Sequence, residues 1–144
     1  MVSVSKALEV ARFLWPEFVV REGAVLIEHC GGSEVGGSSS LTEAEILINH
    51  CHVLDYFEHK AGLRRAPFWN AAHPDFHAAC ELGKLAAAAW AAKLAREFPG
   101  RKFRVYFTRD DNPIVRFHQV RSGEPYFLDE DDWPDGSVVV HEVG

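Results

Sequence analysis

The spacing of apolar residues changes along the chain and divides it into helical and extended segments. From Ser3 to Trp15 apolar residues recur every three or four positions, which predicts a helix that Pro16 ends. Residues 18–27 then read as two short strands, because Gly23 suits the tight turn of a hairpin. The chain is therefore predicted to begin with a short helix and a hairpin.

Two longer helices are predicted in the middle of the chain. Ser40 followed by Glu43 is a capping-box pattern and marks the start of a helix that runs to about Ala61, before a glycine. A second long helix is predicted from Pro74, a residue favoured at the first helical position, to about Phe98. Its alanine-rich centre suits close packing, either in the core or in a homodimer, and both alternatives stay open.

After residue 102 the period of the pattern becomes two, which is typical of strands. The predicted strands span residues 103–108, 113–120, 126–128 and 138–143. We therefore predict one α+β domain over residues 1–144, with two long helices packed on an antiparallel β-meander. Residues 31–40 contain four Gly and four Ser and are predicted to form a flexible loop.

Composition limits the classes of function. The formal net charge of −6 argues against generic nucleic-acid binding, which depends on basic surface. The three cysteines do not form a disulfide framework, and no apolar run is long enough to span a membrane. We therefore expect a soluble, cytoplasmic, reduced protein that binds neither nucleic acid nor membrane.

Polar residues of the predicted helix at 40–61 fall on one face, since their spacings are three and four. This line is either a binding surface or the solvated side of the helix. His50 lies off the line and is expected to be half-buried and hydrogen-bonded. The candidate ligand-binding residues on the line are Asn49, His52, Tyr56 and His59.

The hairpin of residues 103–120 offers a second candidate surface. If Asp110 to Asn112 form its loop, Arg104 lies opposite His118 and Tyr106 opposite Arg116, all on the face away from the core. A cationic and aromatic face on an acidic protein could receive a carboxylate, a phosphate or an acidic partner. The alternative is that the acidic stretch of residues 129–132 covers this face.

A third candidate site is a metal centre at the start of the last helix. His73 and His77 are four residues apart, a spacing at which two helical imidazoles can bind one metal ion. Cys80 or Glu81 could supply a further ligand. The alternative is a capping histidine followed by surface residues, with Glu81 paired to Lys84.

The sequence contains no motif for a catalytic nucleophile or a phosphate-binding loop. We therefore expect a small binding module that recognises a protein or a small anionic ligand, and no resident cofactor. The rival expectation is a metal-binding protein or metal-dependent enzyme that uses a divalent ion at His73 and His77.

Overall fold

The computed structural model describes residues 1–28, 37–57 and 70–144. These residues form three α-helices, two short 3-10 helices and two antiparallel sheets, so the predicted α+β class is confirmed. The predicted flexible loop lies outside the described residues as far as position 36.

The N-terminal helix and hairpin form as predicted. Helix α1 spans Val4–Leu14, and strands β1 (Phe18–Arg21) and β2 (Ala24–Ile27) pair antiparallel. The two turn residues both have positive φ, 52° at Glu22 and 89° at Gly23. A two-residue turn of this kind matches the twist of the strands that it joins.

Helix α2 spans Leu41–Ile48 and is shorter than predicted. Its start is the expected one, because the Ser40 side chain accepts a hydrogen bond from the backbone N–H of Glu43. Its predicted end near Ala61 is wrong. The chain leaves the helix at Asn49, forms strand β3 (His50–His52) and then a 3-10 helix, Val53–Tyr56.

Helix α3 spans Pro74–Glu97 and is the only long helix in the described parts of the chain. The prediction of two long helices is therefore corrected to one. Gly83 allows α3 to approach the sheet closely, since a Cβ there would lie 2.8 Å from a ring carbon of Phe107. Trp90, fully buried, donates its indole N–H to the carbonyl oxygen of Phe13 in α1 and so joins the two helices.

The second sheet has four strands in the order β3-β5-β4-β6, with β4 at Phe103–Thr108, β5 at Ile114–Gln119 and β6 at Val138–Val143. The predicted register is confirmed, with Arg104 opposite His118 and Tyr106 opposite Arg116. The sheet is not a meander, because β6 pairs with β4 rather than with β5.

The predicted strand at residues 126–128 is absent. The chain there crosses from β5 to the far side of β4 over one face of the sheet, and it includes a 3-10 helix, Glu130–Asp132. We call residues 124–132 the cover segment. The opposite face of the sheet, which carries Phe103, Val105, Phe107 and Phe117, packs against α3.

No helix in the described part of the chain is both long enough and apolar enough to cross a membrane.

Candidate functional site

The four residues predicted on the outer face of the hairpin lie together, but three of them are buried. Arg104 is 5% exposed, and Tyr106 and His118 are fully buried beneath the cover segment. Only Arg116 keeps an intermediate exposure. The predicted face therefore exists as a cluster, and most of it is occupied by the protein's own chain.

Tyr106 and His118 are hydrogen-bonded to each other, and His118 is also bonded to the backbone. The ring Nδ1 of His118 lies 2.8 Å from the carbonyl oxygen of Gln119, which can only accept, so Nδ1 carries a proton. In the neutral ring Nε2 is then the acceptor, 2.9 Å from the Tyr106 hydroxyl and 3.3 Å from the Phe127 backbone nitrogen. Burial lowers the pKa of His118 and raises the pKa of Tyr106.

Arg104 is held by its own chain through its terminal nitrogens, while its Nε is buried without a hydrogen-bond partner. Its two terminal nitrogens donate to Glu142 at 2.8 Å and to Glu130 of the cover segment at 2.5 Å. The Tyr126 ring stacks on the guanidinium, with its centroid 4.3 Å away. The acidic stretch of residues 129–132 therefore covers the face at Arg104, through the ion pair of Arg104 with Glu130.

Arg116 differs from Arg104 because its guanidinium has no carboxylate partner among the described residues. Its Nε is buried and without a hydrogen-bond partner, and no carboxylate of the described residues forms an ion pair with its guanidinium. The Phe127 ring lies on it at 4.2 Å. Burial lowers the pKa of Arg116, and the nearby Asp110 carboxylate opposes that shift. A buried donor without an acceptor is costly, about 1–3 kcal/mol.

Strand β3 places two histidines beside Arg116. His50 is the cross-strand neighbour of Arg116 and His52 that of Ile114, and the two imidazole rings lie 5.3 Å apart. Residues two apart on a strand share a face, so both rings join Arg116 on the outer face of the sheet. We call His50, His52 and Arg116 the β3–β5 cluster.

His50 is half-buried and hydrogen-bonded, as predicted, although on a strand rather than a helix. Its Nδ1 lies 2.8 Å from the carbonyl oxygen of Leu47. Burial lowers the pKa of His50, and the positive charge of Arg116 and the neighbouring His52 act in the same direction. The pairing of β3 with β5 therefore makes His50 a candidate that a helical interpretation of this segment misses.

A cleft of about 530 Å³ adjoins the cluster at the end of the sheet where β4 turns into β5. Arg109 is exposed there and has no ion pair among the described residues. Asn112 is fixed as part of the wall, because it accepts from the Leu54 backbone and donates to Asp55. The described residues that line the cleft are His52, Ala71, Phe76, Arg109, Asp110, Asp111, Asn112 and Ile114.

The predicted helical line of ligand-binding residues does not form, because α2 ends before it. Asn49 is fully buried, and its amide accepts from the Ile27 backbone and donates to the Val25 carbonyl. The Tyr56 ring packs against Phe13 with the centroids 4.7 Å apart. Of the three described residues of this line only His52 reaches the β3–β5 cluster, and His59 lies outside the described residues.

Glu45 shares the surroundings of Asn49 and is also fully buried. Its carboxylate accepts five hydrogen bonds, from the Val25 backbone, from the backbone and side chain of Gln119, and twice from the Arg121 guanidinium. These bonds join α2 to both sheets. Glu45 and Asn49 therefore have structural roles that orient the segment leading into β3.

The predicted metal ligands at the start of α3 do not come together. His73 caps the helix, with Nδ1 accepting from the Asp75 backbone, while His77 is exposed. Cys80 is buried, and burial raises the pKa of its thiol. Glu81 pairs with Lys84 at 3.0 Å. No group of three or more His, Cys, Asp or Glu in residues 1–28, 37–57 and 70–144 could hold a metal ion.

One signal in the sequence could have indicated β3. His50-Cys51-His52 alternates polar, apolar and polar, which is a period of two inside an otherwise helical pattern. In the structure Cys51 is buried, and the two histidines face the other way.

Comparison of the chain with protein-family models, with curated proteins and with solved structures gave no match.

Proposed function

We propose that this chain is a small binding module for an anionic ligand, whose anionic group lies on the β3–β5 cluster of His50, His52 and Arg116. The observation that carries the proposal is the half-buried Arg116 guanidinium, which, unlike that of Arg104, forms no ion pair with a carboxylate of the described residues. Only the Nε of this guanidinium is buried and unpartnered, so an anionic oxygen can reach its terminal nitrogens and form a charge-assisted hydrogen bond.

The neighbours of Arg116 support the same interpretation. Two imidazoles share its face of the sheet, and each can form a hydrogen bond with a ligand. Phe127 covers one side of the guanidinium and limits the directions from which a ligand can approach. The site therefore lies on the sheet beside β3, the short edge strand of the described sheet.

The adjoining cleft favours a small molecule as the ligand. Its volume of about 530 Å³ is within the range of small-molecule sites, roughly 300–1,000 Å³. Asp110 and Asp111 stand on the cleft wall, where they would repel a second anionic group. Such a ligand carries its charge at one end, on the cluster, and its neutral or cationic end in the cleft.

Titration calorimetry with inorganic phosphate tests the proposal. We expect the wild-type protein to bind phosphate, and Arg116→Gln to bind it about 10- to 100-fold more weakly, as the loss of a charge-assisted bond implies. Arg96→Gln, at an exposed arginine in the last turn of α3, is the matched control and keeps wild-type affinity. Equal affinities for the wild type and Arg116→Gln would refute the proposal, provided that circular dichroism shows both to be folded.

A further inference from the structure

The hydrogen bond of His50 determines which of its ring nitrogens can meet a ligand. Nδ1 lies 2.8 Å from the carbonyl oxygen of Leu47. A carbonyl oxygen has no proton to donate, so the proton of this bond is on Nδ1. In the neutral ring Nε2 then carries a lone pair and acts as an acceptor. The fold therefore fixes one tautomer of His50.

The charges around His50 favour the neutral ring. Arg116 lies opposite on β5 and His52 follows on the same strand, and both disfavour a second positive charge. Burial acts in the same direction and is the largest cause of the lowered pKa of His50. Among the described residues the Asp110 carboxylate interacts with Arg116, while Glu130 and Glu142 on the same face pair with Arg104. Near neutral pH the cluster thus offers a guanidinium donor and an imidazole acceptor side by side.

We propose that the β3–β5 cluster recognises a phosphoryl group that carries one proton, with its P–OH donating to Nε2 of His50 and its charged oxygens accepting from Arg116. This inference rests on the proposed function and names the ligand class of the same site. His52, on the same face, is placed to donate to a further oxygen. No proton needs to be transferred in this binding mode.

Other anions fit this arrangement less well. Sulfate has no proton near neutral pH, so one of its oxygens would face the Nε2 lone pair with no hydrogen between them. A carboxylate, with a pKa of about 4, is equally deprotonated. Hydrogen phosphate keeps a proton at pH 7.5, whereas a phosphate monoester, whose second pKa is about 6, has lost most of its own. The site therefore selects by the protonation of the anion as well as by its charge.

The direct test is calorimetry of the wild-type protein with inorganic phosphate and inorganic sulfate at pH 7.5 and pH 5.5. We expect phosphate to bind at least about tenfold more tightly than sulfate at pH 7.5, the effect of one uncompensated acceptor. Below the lowered pKa of His50 the protonated ring can donate to either anion, so the preference for phosphate over sulfate narrows there. Methyl phosphate distinguishes a phosphate monoester from free phosphate as the ligand. If the site recognises the monoester monoanion, the binding of methyl phosphate strengthens from pH 7.5 to 5.5.

Two variants test whether His50 causes the preference for phosphate over sulfate. His50→Gln supplies an amide that can donate or accept, so the ratio of phosphate to sulfate affinity falls toward one. His77→Gln, at an exposed histidine of α3 outside the cluster, is the matched control and keeps the preference for phosphate. Equal binding of phosphate and sulfate by the wild type at pH 7.5 would overturn this inference and leave the proposed function standing. Failure of both anions to bind, or a phosphate affinity that Arg116→Gln leaves unchanged, would overturn the proposed function itself.

Discussion

The two faces of the four-stranded sheet are built from the same strands but are held in different ways. The face toward α3 is apolar and closed by one long helix, with Phe103, Phe107 and Phe117 almost wholly buried. The outer face carries arginine and histidine and is closed only in part, by a segment without regular strand pairing. Packing stabilises the first face, while the second depends on hydrogen bonds of which at least one is unmade. The proposed binding site and the apolar packing thus lie on opposite sides of the same strands.

The largest expected difference comes from neighbouring residues of β5 that point to opposite faces. Phe117 contacts the rings of Phe18, Trp90 and Phe103, so Phe117→Ala should cost about 3–5 kcal/mol of unfolding free energy. Arg116→Ala removes no paired hydrogen bond and should cost less than about 1.5 kcal/mol. Denaturant unfolding measures both. Equal losses would contradict the division of roles between the two faces.

The close contact of α3 with the sheet predicts an unusual effect of alanine. Gly83→Ala would normally favour a helix by about 1 kcal/mol. Here the added Cβ meets two ring carbons of Phe107, at 2.8 and 2.9 Å, so we expect a net loss of about 1–3 kcal/mol. Ala88→Gly, on the exposed side of α3, measures the difference in helix propensity without this contact and should cost about 1 kcal/mol of unfolding free energy. A gain in melting temperature for Gly83→Ala would show that the helix can move away from the sheet.

The outer face should make stability depend on pH. Since burial lowers the pKa of folded His118 below the usual value of about 6.5, the unfolded chain takes up the proton first. The contribution of neutral His118 to the unfolding free energy is therefore complete above about pH 6.5. It falls as the pH drops below that value, by at most about 1.4 kcal/mol per pH unit. Unfolding curves from pH 7.5 to 5 should show a shallower fall in His118→Asn. The same substitution at exposed His77 controls for the loss of an imidazole.

The smallest expected effect is at the exposed end of the Arg104 contacts. The Glu142 side chain is 72% exposed, so Glu142→Gln should cost only about 0.2–1 kcal/mol. Glu130→Gln, which also releases the cover segment from Arg104, should cost more. The order of the two losses in thermal unfolding at matched ionic strength checks this ranking. A larger loss for Glu142→Gln would show that Arg104 is held mainly by Glu142 on β6 and not by Glu130 of the cover segment.

Local pattern predicted the elements whose hydrogen bonds are local. The capping box, the Glu22-Gly23 turn and the β4–β5 register all follow from residues close in sequence, and the structure has each of them. A period of two over Phe103–Thr108 was enough to separate the apolar face from the polar one.

The candidate site depends on pairing that local pattern does not contain. Strand β3 has three residues, and its partner β5 begins at Ile114, far along the chain. In isolation the segment after α2 fits a helix, and burial of Cys51 and Val53 against the core overrides that preference. The proximity of His50 to Arg116 follows from this pairing alone. The same applies to β6, whose place beside β4 depends on the path of the cover segment.

The bonds that α2 makes to β2 have a consequence for how copies of this chain meet in concentrated solution. The backbone groups of Val25 and Ile27 that face away from β1 are already bonded to the side chains of Glu45 and Asn49. An edge strand with unpaired backbone groups acts as a template for aggregation. Here a helix occupies the position of the next strand, so α2 protects the hairpin against intermolecular β-pairing as well as fixing its place.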